Sequence, residues 1–434
     1  MRIATHTLGC KLNFAETSHL VRRFLEAGYA VVEFHEEADI YIINTCTVTS
    51  VAEKKCRNAI RQAVATNPKA IVAVMGCFAQ NAAGEIAKIP GVSIILGNNN
   101  KNKLFDLLTN GDTSNLEGKI VTEVSDPKEF QLSYSSGDRT RTFFKIQDGC
   151  DYFCTYCAIP FARGRSRNAS IEETLCMARR IADSGAKEVV LTGVNTGTFG
   201  HNTLPKTENA PKESFLQLIQ ALDQIDGIER YRISSIEPNL ITDEIIDFVS
   251  HSKHFAHHFH IPLQAGNDHV LEKMHRRYTT AFYAEKIAHI KEVMPDACIA
   301  ADLMVGFYGE GQKEFDDACR YIESLPLSYL HVFTYSERPN TAALRMNEKV
   351  PMEERRRRSG IMHQISERKK RQYYEENIGN QSKVLWESDI KDGKMYGFTD
   401  NYIRVRCNYQ PELVNTLQTV TLQQLNLEED LFEI

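Results

Sequence analysis

From Arg2 to about Phe130 the chain alternates short β-rich runs with stretches whose apolar residues recur at helical spacing. Ile3 to Leu8, Asp39 to Asn44, Ala70 to Met75 and Val92 to Leu96 read as strands, with helices between them at Ala15 to Ala27 and Val51 to Thr66. Such alternation implies βαβ crossovers and a parallel sheet, in which ligands gather at the carboxyl ends of the strands. Asn98 to Lys103 and the Gly/Asp/Ser-rich stretch Gly111 to Ser114 then loosen the pattern toward a linker.

From Arg141 the alternation resumes with a longer period. Phe143 to Gln147, Glu188 to Thr192, Tyr231 to Ser235, His258 to Leu263, Ile299 to Val305 and Leu330 to Tyr335 read as strands. Helical segments such as Ile171 to Ser184, Phe215 to Ile225, Ala281 to Val293 and Gln312 to Ser324 separate them. Six βα units predict a partial barrel with its chemistry on loops at the carboxyl face. A basic helical stretch, Glu353 to Arg371, follows with eight Lys/Arg against three Glu. After Asn377 the rhythm is β-only, at Lys383 to Trp386, Met395 to Phe398, Tyr402 to Cys407 and Thr419 to Leu422, a small terminal β-module. The expected division is 1–130, 138–372 and 376–434.

At roughly 150 residues per domain, 434 residues allow about three domains. A content of 42% hydrophobic and 25% charged residues, with 24 Gly and 13 Pro, excludes a disordered or fibrous chain. The net charge of −6 confines nucleic-acid contact to local patches. The longest apolar run, Ala70 to Met75 continuing through Cys77, falls far short of the ~20 residues of a membrane span. Met1-Arg2-Ile3-Ala4 enters a strand pattern with no signal-peptide architecture. The expectation is a cytoplasmic protein with no membrane partner, whose eleven cysteines are metal ligands, redox groups or core filler rather than disulfides.

Cys150, Cys154 and Cys157 form C-x3-C-x2-C after the first barrel strand, between Gly149 and Pro160, with Tyr156 just before the last cysteine. Three thiolates on a short loop can hold three irons of a cubane and leave the fourth open. A structural zinc would want a fourth Cys or His, and none lies between Gly149 and Asn168. Cys10, Cys46 and Cys77 each stand just after a strand of the first domain, at spacings of 36 and 31 residues. In a parallel sheet such residues converge on one edge, so three distant thiols can become a triad, although any one of them alone also fits a core cysteine. Cys56, Cys176, Cys298, Cys319 and Cys407 lack this regularity and read as core or surface.

The cysteine loop with its aromatic resembles the radical S-adenosylmethionine (SAM) superfamily, and over its whole length the chain resembles the methylthiotransferase family. The matching words are TLGCKLN (Thr7 to Asn13), INTCTVT (Ile43 to Thr49), VMGCFAQ (Val74 to Gln80), GCDYFCTYCAIPFARGRSR (Gly149 to Arg167), LTGVNTG (Leu191 to Gly197), RISSIEP (Arg232 to Pro238) and HIPLQAGND (His260 to Asp268). The resemblance implies an N-terminal parallel-sheet (flavodoxin-like) domain, a central partial (β/α)6 radical-SAM barrel and a C-terminal small β-barrel, the RNA-binding TRAM domain. It implies two 4Fe–4S clusters. One, on Cys10, Cys46 and Cys77, would carry the sulfur to be inserted. The other, on Cys150, Cys154 and Cys157, would bind SAM and cleave it to a 5′-deoxyadenosyl radical, while a second SAM donates the methyl group.

Branches of the family act on isopentenyl-adenosine in tRNA, on threonylcarbamoyl-adenosine in tRNA and on an aspartate of a ribosomal protein. The Cys-Lys-Leu-Asn ending of the first motif and Phe161-Ala162-Arg163-Gly164-Arg165 look most like the threonylcarbamoyl branch. That implies methylthiolation at C2 of N6-threonylcarbamoyladenosine beside the anticodon. The implied partners are the tRNA anticodon stem-loop, a flavodoxin- or ferredoxin-like electron donor and a sulfur source. Two departures bear on loop geometry: Phe307-Tyr308-Gly309-Glu310-Gly311 replaces the usual Phe-Pro-Gly-Glu-Thr, and Asn340 replaces a usual Gly.

SAM needs an amino-group acceptor, ribose partners and an apolar slot at the carboxyl ends of barrel strands. The candidates are Tyr156, Thr192, Gly193, Asn195, Ser235, Glu237, Gln264, Asp302 and Phe333, each also explicable as a strand-end hydrogen bond, a helix cap or core. Tyr402, Arg404 and Arg406 share one side of a strand by the period of two, an aromatic with two guanidiniums suited to RNA. Four of the module's ten acids fall in the last seven residues, leaving that face basic. An anionic carbamoyl-threonine needs a cation, for which Arg163, Arg165 and Arg338 are candidates. Arg355 to Arg358 and Arg368 to Arg371 fit a phosphate backbone or a solvated helix face. The rival from another class is an RNA-binding protein with structural zinc, colourless where two cubanes give a brown protein with about eight irons.

Overall fold

Six parallel strands open the chain: β1 (Arg2–Thr7), β2 (Ala30–Val32), β3 (Ile40–Thr45), β4 (Ile71–Gly76), β5 (Ile94–Leu96) and β6 (Lys119–Val121), in spatial order β2-β1-β3-β4-β5-β6. The structure, a computed structural model, describes residues 1–109, 119–121, 130–137, 140–206 and 212–434. The linker stretch Gly111 to Ser114 lies outside the described residues. The four expected strands are present, shifted by at most two residues; β2 and β6 are too short to show a period. Helices cover both faces and bury β3 completely. α1 (Lys11–Glu26) sets Leu20 and Phe24 against Ile3, Ile40 and Ile42, while α2 (Ser50–Thr66) sets Ile60 and Ala63 against Tyr41, Val72 and Val74. The connections depart to opposite sides between β1 and β3, which opens the ligand-binding crevice of this topology there.

β7 (Ser133–Tyr134) lies antiparallel on β8 (Arg141–Lys145). From β8 onward, β9 (Glu188–Thr192), β10 (Arg230–Ile233), β11 (His258–His260), β12 (Cys298–Val305) and β13 (Tyr329–Thr334) run parallel. Single bridges, Tyr231 to Phe255 and Ser235 to His260, carry the order from β10 to β11. This is the expected six-stranded partial barrel. Ile181, Leu218, Ile246, Ile287 and Ile322 from five outer helices close on Val189, Tyr231, Phe259 and Ile299. Asn340 adopts φ +65°, a region Asn tolerates better than most side chains, so the backbone there follows a path open to glycine.

The helix Met352–Glu376 straps the barrel to the last module, and Arg355 and Arg358 face inward from it rather than joining an exposed row. Arg355 pairs with Glu337, Arg358 with Glu310 and Glu354, Arg357 with Glu354, Arg368 with Glu323 and Lys370 with Asp430. Arg355 and Arg358 are buried, which demands such partners. β14 (Gln381–Lys391), β15 (Lys394–Thr399), β16 (Arg404–Asn408), β17 (Leu417–Thr421), β18 (Gln424–Asn426) and β19 (Leu431–Glu433) then form a sheet in order β17-β14-β15-β16-β19-β18 around Trp386, Val405, Leu422 and Phe432. Among the described residues no helix is long and apolar enough to cross a membrane.

Candidate active site

Because β1, β3 and β4 end side by side, the cysteine following each reaches one edge. Gly9 has φ +107°, and a Cβ there would stand 2.8 Å from Cys46 Cβ and 3.0 Å from its Sγ, so only glycine lets the first two loops touch. Cys77 begins α3 (Cys77–Asn81) directly after β4. Cys10 is exposed, Cys46 and Cys77 are buried, and Cys77, Cys10 and Cys56 all lie near enough to Cys46 to oppose its ionisation. Burial is the larger cause and pushes the Cys46 thiol up to about 12. Such a sulfur stays protonated at neutral pH unless a cation takes the proton's place, and convergent soft thiols in a buried setting fit an iron–sulfur cluster. Cys56, read as core, has a second role. Its Sγ accepts from Cys46 N at 3.4 Å and donates to Cys46 O at 3.5 Å, clamping that loop from α2.

Beside this triad lies a buried knot of charge. Glu16 of α1 meets Lys101 at 2.6 Å, Lys145 at 2.8 Å and Arg163 at 3.2 Å. Asp148, after β8, meets Arg163 at 2.8 Å, Lys145 at 3.0 Å and Arg167 at 3.2 Å. Two carboxylates face four cations, so positive charge is in excess close to Cys10 and Cys77 and favours an anionic thiolate cluster. Arg163 is therefore not at the substrate's side chain. It is 1% exposed and its donors are spent on Asp148, Glu16 and Asn13, locking the barrel to the first domain. Arg338 is likewise committed, to Glu53 at 2.6 Å and the Thr47 carbonyl at 3.4 Å. Arg165 is exposed, 3.4 Å from Asp151.

Asp148→Asn is expected to destabilise the protein by about 3–5 kcal/mol, because it leaves Glu16 alone against four buried cations; denaturant unfolding measures this. The neighbouring cations hold Glu16 and Asp148 below the usual carboxylate range. Their contribution is therefore complete above a pH of about 4 to 5 and lost as the pH falls below it, so the variant's deficit should shrink in acid.

The C-x3-C-x2-C loop follows β8. A Cβ on Gly149, at φ +73°, would stand 2.0 Å from Arg165 O, and Cys150 N donates to Gly164 O at 3.0 Å. Gln147, unremarked in the sequence, ties this loop to the one after β9: its Nε2 donates to the carbonyls of Asp148 and Gly149, and its Oε1 accepts from Val194 N and Asn195 N. Arg276, also unremarked, donates to Cys154 Sγ at 3.2 Å and pairs with Glu237. Burial raises Cys150 to about 11 and Cys157 to about 12.

Tyr156, Gln264, Asp302 and Phe333 line one cavity of about 200 Å³ together with Cys157 and Val48 of the first domain. Phe333 is 44% exposed, facing this space rather than core. Thr192, Gly193, Asn195, Ser235 and Glu237 do not line it: Asn195 Oδ1 accepts from Glu237 N at 3.4 Å, Gly193 abuts Gln147, and Ser235 O accepts from Thr196. Thr192 Oγ1 and Asn195 Nδ2 are buried without a hydrogen-bond partner among the described residues, as groups awaiting a polar ligand would be.

A second cavity, of about 450 Å³, lies between the barrel interior and the first domain, with Cys10, Lys11 and Phe14 on one wall and Arg232, His260 and His331 on the other. His260 Nε2 meets Asp302 Oδ1 at 2.9 Å, so the two cavities share a wall. Tyr402 also lines it, which corrects the expected RNA-facing row. Tyr402 precedes β16 at φ +65°, accepts from Arg141 Nη1 at 3.2 Å and stacks on Phe398, so it turns inward. Nor does Arg406 keep that face basic: β19 runs beside β16, where Glu433 and Glu429 both bind it. Arg404, its guanidinium 4.5 Å above the Tyr396 ring, remains.

Comparison with known proteins agrees with this layout. The family described as Uncharacterized protein family UPF0004 matches residues 2–97, and the Radical SAM superfamily matches residues 144–322. The threonylcarbamoyladenosine tRNA methylthiotransferase MtaB of Bacillus subtilis is 37% identical over 93% of this chain and 89% of its own length. The chain belongs to the radical-SAM methylthiotransferase family. As a member it is a sulfur-inserting enzyme that uses SAM and an iron–sulfur cluster. The Aquifex aeolicus MtaB protein is 35% identical over 94% of this chain and 96% of its own. A tRNA-2-methylthio-N(6)-dimethylallyladenosine synthase of Desulfitobacterium hafniense is 30% identical over 98% and 95%. The radical SAM methyltransferase TsrM of Kitasatospora setae, solved with cobalamin and a 4Fe–4S cluster, shares the fold at TM-score 0.57 and 13% identity, covering 79% of this chain and 76% of that one.

Proposed function

We propose that this methylthiotransferase acts on N6-threonylcarbamoyladenosine next to the anticodon of tRNA, at C2 of the base. In this reading Cys150, Cys154 and Cys157 hold one 4Fe–4S cluster and Cys10, Cys46 and Cys77 a second. The observation that supports it is the wall shared by the cavity beside Cys157 and the cavity beside Cys10, which sets a cysteine of each group on adjoining spaces. When bound, the clusters and SAM would supply the radical, the sulfur and the methyl group. The chain's own residues do the rest. Arg276 and burial hold the cysteine loop, Thr192 and Asn195 offer hydrogen bonds to SAM, Gln264, Asp302 and Phe333 wall its cavity, and aromatic side chains bound the space for a flipped-out base. The domain bounds are 1–130, 138–372 and 376–434, the compartment is the cytoplasm, and a flavodoxin- or ferredoxin-like donor and a separate sulfur source complete the system.

Mass spectrometry of nucleosides tests the substrate, after anaerobically reconstituted enzyme has acted on tRNA carrying either base. Conversion of threonylcarbamoyladenosine and not isopentenyladenosine is expected; the reverse, or activity on a ribosomal-protein aspartate, overturns the reading. In the terminal module, Arg404→Ala should weaken tRNA binding and reduce its log–log salt slope by about one unit. Arg406→Ala should change that slope little, because its charge is already met by Glu429 and Glu433.

A further inference from the structure

The charged group that distinguishes a threonylcarbamoyl base from an isopentenyl base is a carboxylate, and a buried carboxylate needs a cation whose charge is not already spent. Arg163 and Arg338 are spent, as described above. In the cavity beside Cys10, Arg232 gives its donors to Glu188 and to the carbonyls of Thr399 and Asp400. Arg141 gives its own to Tyr402 and Glu387. His258 and His331 are held neutral by burial. Lys11 alone among the cations lining this cavity makes no hydrogen bond or ion pair among the described residues.

Its position is otherwise unfavourable. Lys11 is the first residue of α1, whose first turn holds no acid and whose N-cap, Cys10, makes no side-chain cap, so the ammonium opposes the helix dipole. Among the neighbouring charges Arg141 and Arg232 repel it, while Glu188 and Asp302 attract it without forming an ion pair with it. An exposed cation that makes no ion pair, at a sixteen-residue helix's N-terminus, near two guanidiniums and lining a cavity of about 450 Å³, describes an anion site. Phe14, Phe143 and Tyr402 supply aromatic walls for a base in the same space.

We infer that Lys11 binds the carboxylate of the substrate's threonylcarbamoyl group in the cavity beside Cys10 and thereby selects this base over an apolar one. The inference rests on the substrate reading proposed above. An isopentenyl group there would leave the ammonium desolvated and unpaired, which is how a site rejects an isostere lacking its polar partner.

The test uses reconstituted holoenzyme and four anticodon stem-loop RNAs, whose modified base is threonylcarbamoyl-adenosine, its methyl ester, isopentenyl-adenosine or plain adenosine. Wild-type enzyme should bind the free carboxylate about 10- to 100-fold tighter than the ester, the worth of a hydrogen bond to a charged group. Lys11→Gln should erase that difference, and Lys11→Arg should keep part of it. Equal binding of acid and ester by wild type overturns the inference without needing any variant, so loss of the neighbouring cluster in Lys11→Gln cannot obscure the result. Equal weakening of all four RNAs by Lys11→Gln would mean a backbone phosphate contact and overturns it too. Failure of wild type to methylthiolate the threonylcarbamoyl RNA while converting the isopentenyl RNA overturns the substrate reading instead.

Discussion

Replacing Cys150, Cys154 and Cys157 together by Ala should end the formation of 5′-deoxyadenosine from SAM and lower the iron content from about eight to about four per chain. Loss should be complete rather than partial, because the loop holds three thiols and, among the described residues, no other Cys or His lies between Gly149 and Asn168 to replace them. The fold should survive. The loop's backbone is fixed by Gln147, by the Cys150 to Gly164 hydrogen bond and by the Asp148 to Arg167 pairing, none of which uses a cysteine sulfur. Arg276 keeps Glu237 as a partner when Cys154 is lost. Undiminished SAM cleavage by the triple variant would remove these cysteines from the chemistry. Arg276→Met should give a milder version, since it takes a cation from Cys154 but leaves all three sulfurs.

The architecture was legible because strand periodicity and strand-end chemistry are local properties. Cys10, Cys46 and Cys77 could be read from βα spacing alone, since a parallel sheet sends equivalent residues to one edge. What stayed hidden depends on which partner a side chain finds across the fold. Arg163 and Arg338 carry the charge a substrate carboxylate wants, but Glu16, Asp148 and Glu53, distant in sequence, consume it. The period of two placed Tyr402 with Arg404 and Arg406; a left-handed residue before β16 broke that period, and the parallel pairing of β19 brought Glu433 onto Arg406. Lys11 is the converse case, an ordinary lysine in a motif until the cavity leaves it unpartnered. Gln147, Arg276 and Cys56 act by holding loops, and a residue that holds a loop has no spacing to betray it.

Changing Cys10, Cys46 and Cys77 to Ala should separate the two halves of the reaction: SAM cleavage persists, about four irons per chain remain, and no methylthiolated nucleoside forms. The separation follows from geometry. The three residues sit on loops of the first domain, whereas the cavity proposed for SAM is walled mostly by the barrel, with Val48 and Thr49 the residues of the first domain that line it among the described residues. The larger change falls on the charge knot. Glu16 and Asp148 face four cations, and the excess positive charge near Cys10 and Cys77 would lose the anionic thiolates it favours. Denaturant unfolding of anaerobically loaded protein should therefore show the variant less stable than wild type, with the difference disappearing when both are stripped of iron, because neutral thiols and Ala side chains offer the cations equally little. Methylthiolation by the triple variant would reduce these cysteines to packing residues; a stability difference that survives iron removal would mean that their role in the fold does not depend on a cluster.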